Sequence, residues 1–243
     1  RSKLKQNVYP EFFYFQDAPT IVKRRYVDAD LSKLFEVYFY NDRPSSECID
    51  DKVCSWLGKN TAKFDVVIVP DFGNGFISSG MIQKLCKHAR FLAVNTQLNS
   101  GNRGYHSINQ YPRVDFASLN TAELRIATHD RHDSVENLAK RILGQLGAKY
   151  LAVTLGSEGA FLLNKSPEKT YRAPALSTQV LDRIGAGDTF LSLAGLCLGG
   201  NLSSEIALFV GNAAAALDVQ VICNREPTSP VNLYKYINTL LKS

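Results

Sequence analysis

No apolar run in the chain approaches the roughly 20 residues that a helix needs to span a bilayer, so no transmembrane anchor is expected. The five cysteines, Cys48, Cys54, Cys86, Cys197 and Cys223, are scattered in apolar contexts, with neither paired nor metal-ligand spacing. They read as buried free thiols of a protein in a reducing cytoplasm, not as a disulfide framework or a metal cluster. Charge of one sign is nowhere concentrated. The net charge of +5 suits small anionic substrates and gives no indication of nucleic acid. No internal repeat and no low-complexity segment is present. The opening residues Arg1-Ser-Lys-Leu-Lys contain neither an initiator Met nor an apolar signal region. They read as an internal start of a fragment and not as a secretory leader. What is there, 243 residues with 45% hydrophobic content, suffices for a full core in one large domain, with room for a small appendage.

Hydrophobic patterning predicts an early β region followed by alternating strands and helices. Residues 20–28 and 34–40 are rich in Val, Ile, Tyr and Phe, with Asp28-Ala-Asp-Leu-Ser as the turn between them. A helix near 46–59 then leads to the apolar strand Phe64–Val69, a helix near 77–88 and a strand near 91–94. Strand 114–118 runs into helix 121–128, and helix 134–146 into strand 150–155. A strand near 159–163 and short β segments at 170–180 precede helices near 187–198, 203–217 and 230–242. Short all-apolar strands alternating with helices predict a mainly parallel α/β sheet covered on both faces.

The most informative stretch is Asp182-Arg-Ile-Gly-Ala-Gly-Asp-Thr-Phe190, which runs into an apolar segment of helical spacing. Gly185, Ala186 and Gly187 are therefore expected at a helix N-terminus, where unpaired N–H groups and the helix dipole favour an anion. Small residues let a phosphate approach the backbone. Asp188 lies in the first turn as a proton acceptor. A phosphate cradle beside a general base is what phosphoryl transfer to an alcohol requires. The alternative is a glycine turn with a capping Asp.

This stretch resembles the Asp-Thr-x-Gly-Ala-Gly-Asp signature of the ribokinase-like (PfkB) carbohydrate kinases. In that family the Gly-Ala-Gly amides form an anion hole and the last Asp deprotonates the sugar hydroxyl, which implies those roles for Gly185, Ala186, Gly187 and Asp188. Arg183 stands where Thr is usual, at a loop near which relatives build a monovalent-cation site, and Ile184 fills the variable place. The resemblance implies the ribokinase-like fold, a mainly parallel sheet with helices on both faces plus a small β lid. Residues 9–42 would be the lid and 43–243 the kinase core. The N-terminal strands and sugar-binding Gly-Gly motif usual in such kinases do not precede Arg1.

Further segments admit a local and a family reading side by side. Asn120-Thr-Ala-Glu123 has the spacing of a capping box. It also matches the family's Asn-x-x-Glu motif, which implies that Asn120 and Glu123 position Mg2+ and the nucleotide phosphates, largely through water. Thr154-Leu-Gly156-Ser-Glu-Gly159 reads as a β-hairpin turn or, by resemblance, as the Thr-x-Gly-x-x-Gly turn under the nucleotide. Asp182 belongs to the signature, and Asn212 occupies a position where relatives contact the nucleotide. On its own Asn212 reads as solvent-facing or capping.

On the substrate side, Asp71 ends a buried strand before the turn Phe72-Gly-Asn-Gly75. This segment reads either as a plain turn with a helix cap downstream or as a ligand site, since such sites lie at these strand ends in open α/β sheets. Asn74 takes the place of a Lys in the heptose-kinase branch. Asn95, in a loop of amides and glycines, stands where many relatives have Asp-Pro. Loop chemistry alone also accounts for that segment. Lys23-Arg-Arg25 reads either as a basic, aggregation-resistant edge strand or as a phosphate grip. Thr20, Lys23 and Arg25 match a lid segment of the heptose-kinase branch.

Together the resemblance implies an ATP- and Mg2+-dependent kinase acting on a hydroxyl of a heptose-like sugar or sugar phosphate. It is nearest the kinase domain of bacterial heptose-phosphate kinase and ADP-heptose synthase type proteins. A fused nucleotidyltransferase, a homodimer formed through the lid and a cytoplasmic location are expected, with no nucleic acid or membrane as partner. A nucleoside kinase and a non-catalytic sugar- or nucleotide-binding module on the same scaffold are the competing readings.

Overall fold

Four short segments, each dominated by apolar side chains, form the centre of the molecule. They are β3 (Val67–Asp71), β4 (Leu92–Thr96), β5 (Phe116–Asn120) and β6 (Tyr150–Thr154), which run parallel in that order. The computed structural model describes residues 4–14, 19–29, 33–40, 47–99, 101–102, 104–177, 179–222 and 226–242. The antiparallel strands β7 (Ala160–Lys165) and β8 (Glu168–Ala173) extend the sheet to six strands. Ahead of it, β1 (Val22–Val27) and β2 (Lys33–Phe39) pair antiparallel as a separate two-stranded sheet, the lid.

The alternation of side chains along each strand sends neighbouring residues into two different cores. One face, carrying Val69, Val94, Leu119, Leu151 and Val153, is covered by α2 (Ser79–His88), α3 (Thr121–Thr128) and α4 (Val135–Gln145) through Leu85, Leu124, Leu138 and Ile142. The other face, carrying Ala93, Phe116, Ala152 and Leu162, is covered by α5 (Ala186–Gly199) and α6 (Ser204–Asp218) through Phe190, Ala194 and Leu208. Burial on both faces is why these strands read as continuous apolar runs. Helix α7 (Pro230–Leu240) packs on α6 around Leu233, and α1 (Glu47–Asn60) packs on α2 through Ile49, Val53 and Met81. No helix among the described residues is long and apolar enough to cross a membrane.

The expected architecture holds, with shifted boundaries. The strand expected at 114–118 is Phe116–Asn120, so Asn120 both ends β5 and caps α3. The strand expected at 64–69 is Val67–Asp71, because Thr61–Lys63 form a single 3-10 turn that delays it. The β segments expected across 170–180 end at Ala173. Part of the lid turn (residues 30–32), the first residue of the expected helix 46–59, and Cys223 lie outside the described residues. The expectation of buried thiols needs correction. Cys48 is exposed, and Cys54, Cys86 and Cys197 are only partly buried, because they sit on helices at the edge of the core.

Candidate active site

The parallel strands deliver Asp71, Asn95, Asn120 and Thr154 to one edge of the sheet, at or next to their C-terminal ends. Helix α5 begins beside them. Its N-cap, Gly185, has φ of 92°, a backbone conformation that side-chain-bearing residues rarely adopt. The N-caps Ser78, Asn120, Ser134, Ser203 and Ser229 each accept a backbone N–H with their side chains, whereas Gly185 has no side chain to do so. The first amides of α5 are thus left to whatever sits in front of the helix.

What sits there is a cavity of about 490 Å³. Its core wall includes Asn95, Gln97, Ser118, Asn120, Glu123, Thr154, Gly185, Gly187 and Asp188, and its lid wall Lys23, Arg25, Glu36 and Tyr38. Asp188, at the third position of α5, is partly buried. Asn95 Nδ2 donates to its Oδ1 at 3.2 Å and Gln97 Nε2 donates to the same oxygen at 2.5 Å. Burial raises its carboxyl above the ordinary range, while the two amides and the Lys23 charge pull it partly back.

Glu123 is set by the capping box. Asn120 Oδ1 accepts the Glu123 N–H at 2.9 Å, and Glu123 Oε2 accepts the Asn120 N–H at 2.8 Å. Its other oxygen accepts the Leu98 N–H at 3.4 Å. Burial pushes Glu123 up to about 7, against those backbone donors and with a further upward push from Asp188. A carboxylate so poorly solvated is suited to a cation. Among the described residues no group of three or more His, Cys, Asp or Glu could hold a metal by itself. The single carboxylate of Glu123 would suit a cation that keeps most of its water shell.

On the lid, the register pairs Lys23 with Tyr38 and Arg25 with Glu36. Lys23 Nζ lies 4.9 Å from the Phe72 ring centre and 5.2 Å from that of Tyr38, which seats the lid on the turn after β3. Arg25 Nε is 3.5 Å from Glu36 Oε2, so part of the charge in the expected basic grip is offset locally.

Several expected site residues fall outside the cavity wall. Asp71, 3% exposed, accepts from the Tyr111 hydroxyl at 2.8 Å and the Gly73 N–H at 3.1 Å, and lies 3.4 Å from His106 Nε2. It braces the turn that carries Phe72. Asp182 accepts the Ile184 N–H at 3.1 Å and shapes the loop entering α5. Asn212 is neither solvent-facing nor a cap. It is 7% exposed, and its Nδ2 ties α6 to the carbonyls of Ala173 and Pro174 at 3.4 and 3.2 Å. Gly156 and Gly159 form the β6–β7 hairpin turn, where both have positive φ, and Ala186 is the first residue of α5. At Gly159 (φ 89°) a Cβ would come within 2.1 Å of the Ala173 oxygen, so only glycine fits. The hairpin and nucleotide-turn readings are therefore compatible in one structure, with Thr154 of the turn on the cavity wall.

Gln97, Glu36 and Tyr38 were not singled out as site residues from the sequence. The available signal for Gln97 was its place two residues after Asn95 at a strand end, which puts both on one face. Asp218, also missed, ends α6 at 5% exposure and accepts from Thr189, with its carboxyl raised by burial.

Residues 80–230 match the pfkB family carbohydrate kinase pattern. The chain is 25% identical over 96% of its length to a bifunctional protein HldE from Koribacter versatilis, covering 46% of that protein. It is 30% identical over 72% of its length to the protein of that name from Magnetococcus marinus, covering 35% of it. The chain thus spans about half or less of these curated relatives. Among solved structures, ribokinase from Thermotoga maritima superposes with a TM-score of 0.70 at 18% identity, over 91% of this chain and 70% of that one. Phosphofructokinase-2 from Escherichia coli, in complex with potassium, superposes with a TM-score of 0.68 at 16% identity, over 84% and 67%. These two likenesses establish the ribokinase-like fold. The family match covers well over half of the chain, which therefore belongs to the pfkB family of carbohydrate kinases.

Proposed function

We propose that the cavity transfers the γ-phosphoryl group of ATP to a hydroxyl of a heptose-like sugar or sugar phosphate. The observation that carries this reading is the meeting of a helix N-terminus without a side-chain cap with a partly buried carboxylate, Asp188, beneath a lid that presents cations. The acceptor hydroxyl gives its proton to Asp188 as its oxygen bonds to the γ-phosphorus, and the bond from that phosphorus to the bridging oxygen breaks to release ADP. Charge developing on the equatorial oxygens meets the amides of Gly185, Ala186 and Gly187. Asn95 and Gln97 hold one Asp188 oxygen, which leaves Oδ2 to take the proton. Bound Mg2+ supplies neutralisation of the triphosphate, and Glu123 with Asn120 would hold its water shell. Thr154, with the turn at Gly156 and Gly159, underlies the nucleotide. In this reading Asp71, Asp182 and Asn212 act through the loops they brace.

Closure of the lid, residues 9–42, over the core, residues 43–243, would exclude water from the transfer. Lys23 and Arg25, on the cavity face, favour a phosphorylated acceptor over a neutral nucleoside. The opposite lid face leaves Val22, Tyr26, Phe35 and Phe39 exposed, which supports a homodimer formed there. The relatives are named bifunctional and are about twice as long or longer, which supports fusion to a nucleotidyltransferase. The free thiols of Cys48, Cys54, Cys86 and Cys197 suit a cytoplasmic location. Calorimetry with a non-hydrolysable ATP analogue and Mg2+ tests the nucleotide half of the reading. Binding that needs the metal supports it, and a folded sample that binds nothing removes it.

A further inference from the structure

The clamp on Asp188 leaves one amide atom over. Asn95 is 5% exposed, and its Nδ2 is the atom that contacts Asp188. An ionised carboxylate only accepts hydrogen bonds, so the amide must turn its NH2 toward Asp188 and its oxygen away. Among the described residues that oxygen, Asn95 Oδ1, is buried without a hydrogen-bond partner, on a side chain that lines the cavity. A buried acceptor left unpaired is costly, and such groups in folded proteins are normally satisfied by protein groups or ordered water or, on a cavity wall, by a bound molecule. The oxygen and nitrogen of the amide share one carbon. The waiting acceptor therefore lies beside the base. It is closed to solvent, so a substrate group on the carbon next to the reacting hydroxyl reaches it when the Asn95 side chain shifts toward the cavity that it lines.

Resting on the kinase reading above, we propose that Asn95 Oδ1 accepts a hydrogen bond from a second hydroxyl of the acceptor substrate, adjacent to the one phosphorylated. The site then takes vicinal diols and polyols and rejects isolated alcohols. One amide serves both ends of this arrangement. Its nitrogen fixes the base and its oxygen reads the neighbour of the reacting group. An acceptor without that neighbour leaves Oδ1 unpaired in the transition state, so discrimination appears in kcat/KM.

The test uses the complete polypeptide with ATP, Mg2+ and a set of monosaccharides and monosaccharide phosphates, each beside its monodeoxy derivatives. The position phosphorylated is first located by phosphorus NMR of the product. Removal of the adjacent hydroxyl is expected to lower kcat/KM on the order of ten- to a hundredfold. In Asn95→Ala both members of that pair slow through loss of the clamp, but the ratio between them collapses toward unity. Removing a hydroxyl elsewhere on the sugar leaves the ratio between wild type and variant unchanged. Asn95→Ser serves if the alanine variant does not fold, and the wild-type pair requires no variant. Robust turnover with equal kcat/KM across the pair, or a preference that persists in the variant, overturns this inference and leaves the kinase reading standing. Absence of transfer to any acceptor by a folded sample overturns both.

Discussion

Asp188 and Glu123, on the core wall of the cavity, are partly buried and held by amides and a capping box. Lys23 and Arg25, on the lid wall, ride on a two-stranded ladder whose other face is open to solvent. The acids sit on helices pinned to a sheet that is covered on both faces. The lid cations are anchored by the pairing of β1 with β2 and by the contact of Lys23 with Phe72. Burial gives the core groups altered proton affinity and a fixed geometry, which chemistry needs. The lid groups are also partly buried, but they ride on a two-stranded sheet separate from the main one, which suits recognition. Core substitutions should therefore act on kcat and on pH dependence, and lid substitutions on KM.

The largest effect is expected at the core. Asp188→Asn keeps the size of the side chain but cannot take a proton, so kcat should fall about 10²–10⁴-fold with ATP affinity little changed. Single-turnover kinetics beside nucleotide calorimetry separate the two. A loss confined to stability would make Asp188 a capping residue, as lid and core would then no longer differ in kind.

Glu123→Gln should come next. Glutamine retains the capping box but carries no charge. Burial raises Glu123 from an ordinary 4.5 to about 7, so over that window the unfolded chain is ionised while the folded chain still holds its proton. Wild-type stability therefore declines as pH rises through the window, by up to about 3 kcal/mol. The glutamine variant should lack that share of the decline and be the more stable protein above pH 7, yet lose Mg2+-dependent nucleotide binding. Denaturation curves across pH check the first expectation and calorimetry the second.

On the lid, Lys23→Ala should raise KM for a phosphorylated sugar by about 1.5–3 kcal/mol, roughly ten- to a hundredfold, with little change in kcat. Arg25→Ala should do less, because Glu36 already offsets its charge. Steady-state kinetics with phosphorylated and unphosphorylated acceptors show whether the loss is specific to phosphate. Smallest in energy is Phe35→Ser on the outer lid face, expected to change monomer stability within about 0.5 kcal/mol. It should nonetheless shift a dimer toward monomer in analytical ultracentrifugation.

The core was the more legible of the two regions. The run into α5 announces its own N-terminus, because glycine and alanine precede a helical apolar pattern without a capping side chain. Asn120 and Glu123 declare a capping box through local spacing alone. The Gln97–Asp188 contact joins residues 91 apart in sequence, and no local pattern encodes it. Asp71 admitted both a ligand and a turn reading because a strand-end acid before glycines serves either, and its contacts with Tyr111 and His106 come only through the fold. Asn212 sits among apolar residues, with Leu208 and Ala216 one turn either side, a signal of burial that its polar side chain masked. Its partners are the carbonyls left unpaired where β8 ends. Arg25 read as a free cation because Glu36 becomes its neighbour only through strand pairing.

Phosphorus NMR of the complete polypeptide with ATP, Mg2+ and a sugar phosphate acceptor, run beside the Asp188→Asn variant, tests the central claim most directly. The account predicts that ADP and a newly phosphorylated sugar appear in equal amounts, and that both are lost together in the variant. ATP consumed without sugar phosphorylation, or equal transfer by the asparagine variant, would contradict it.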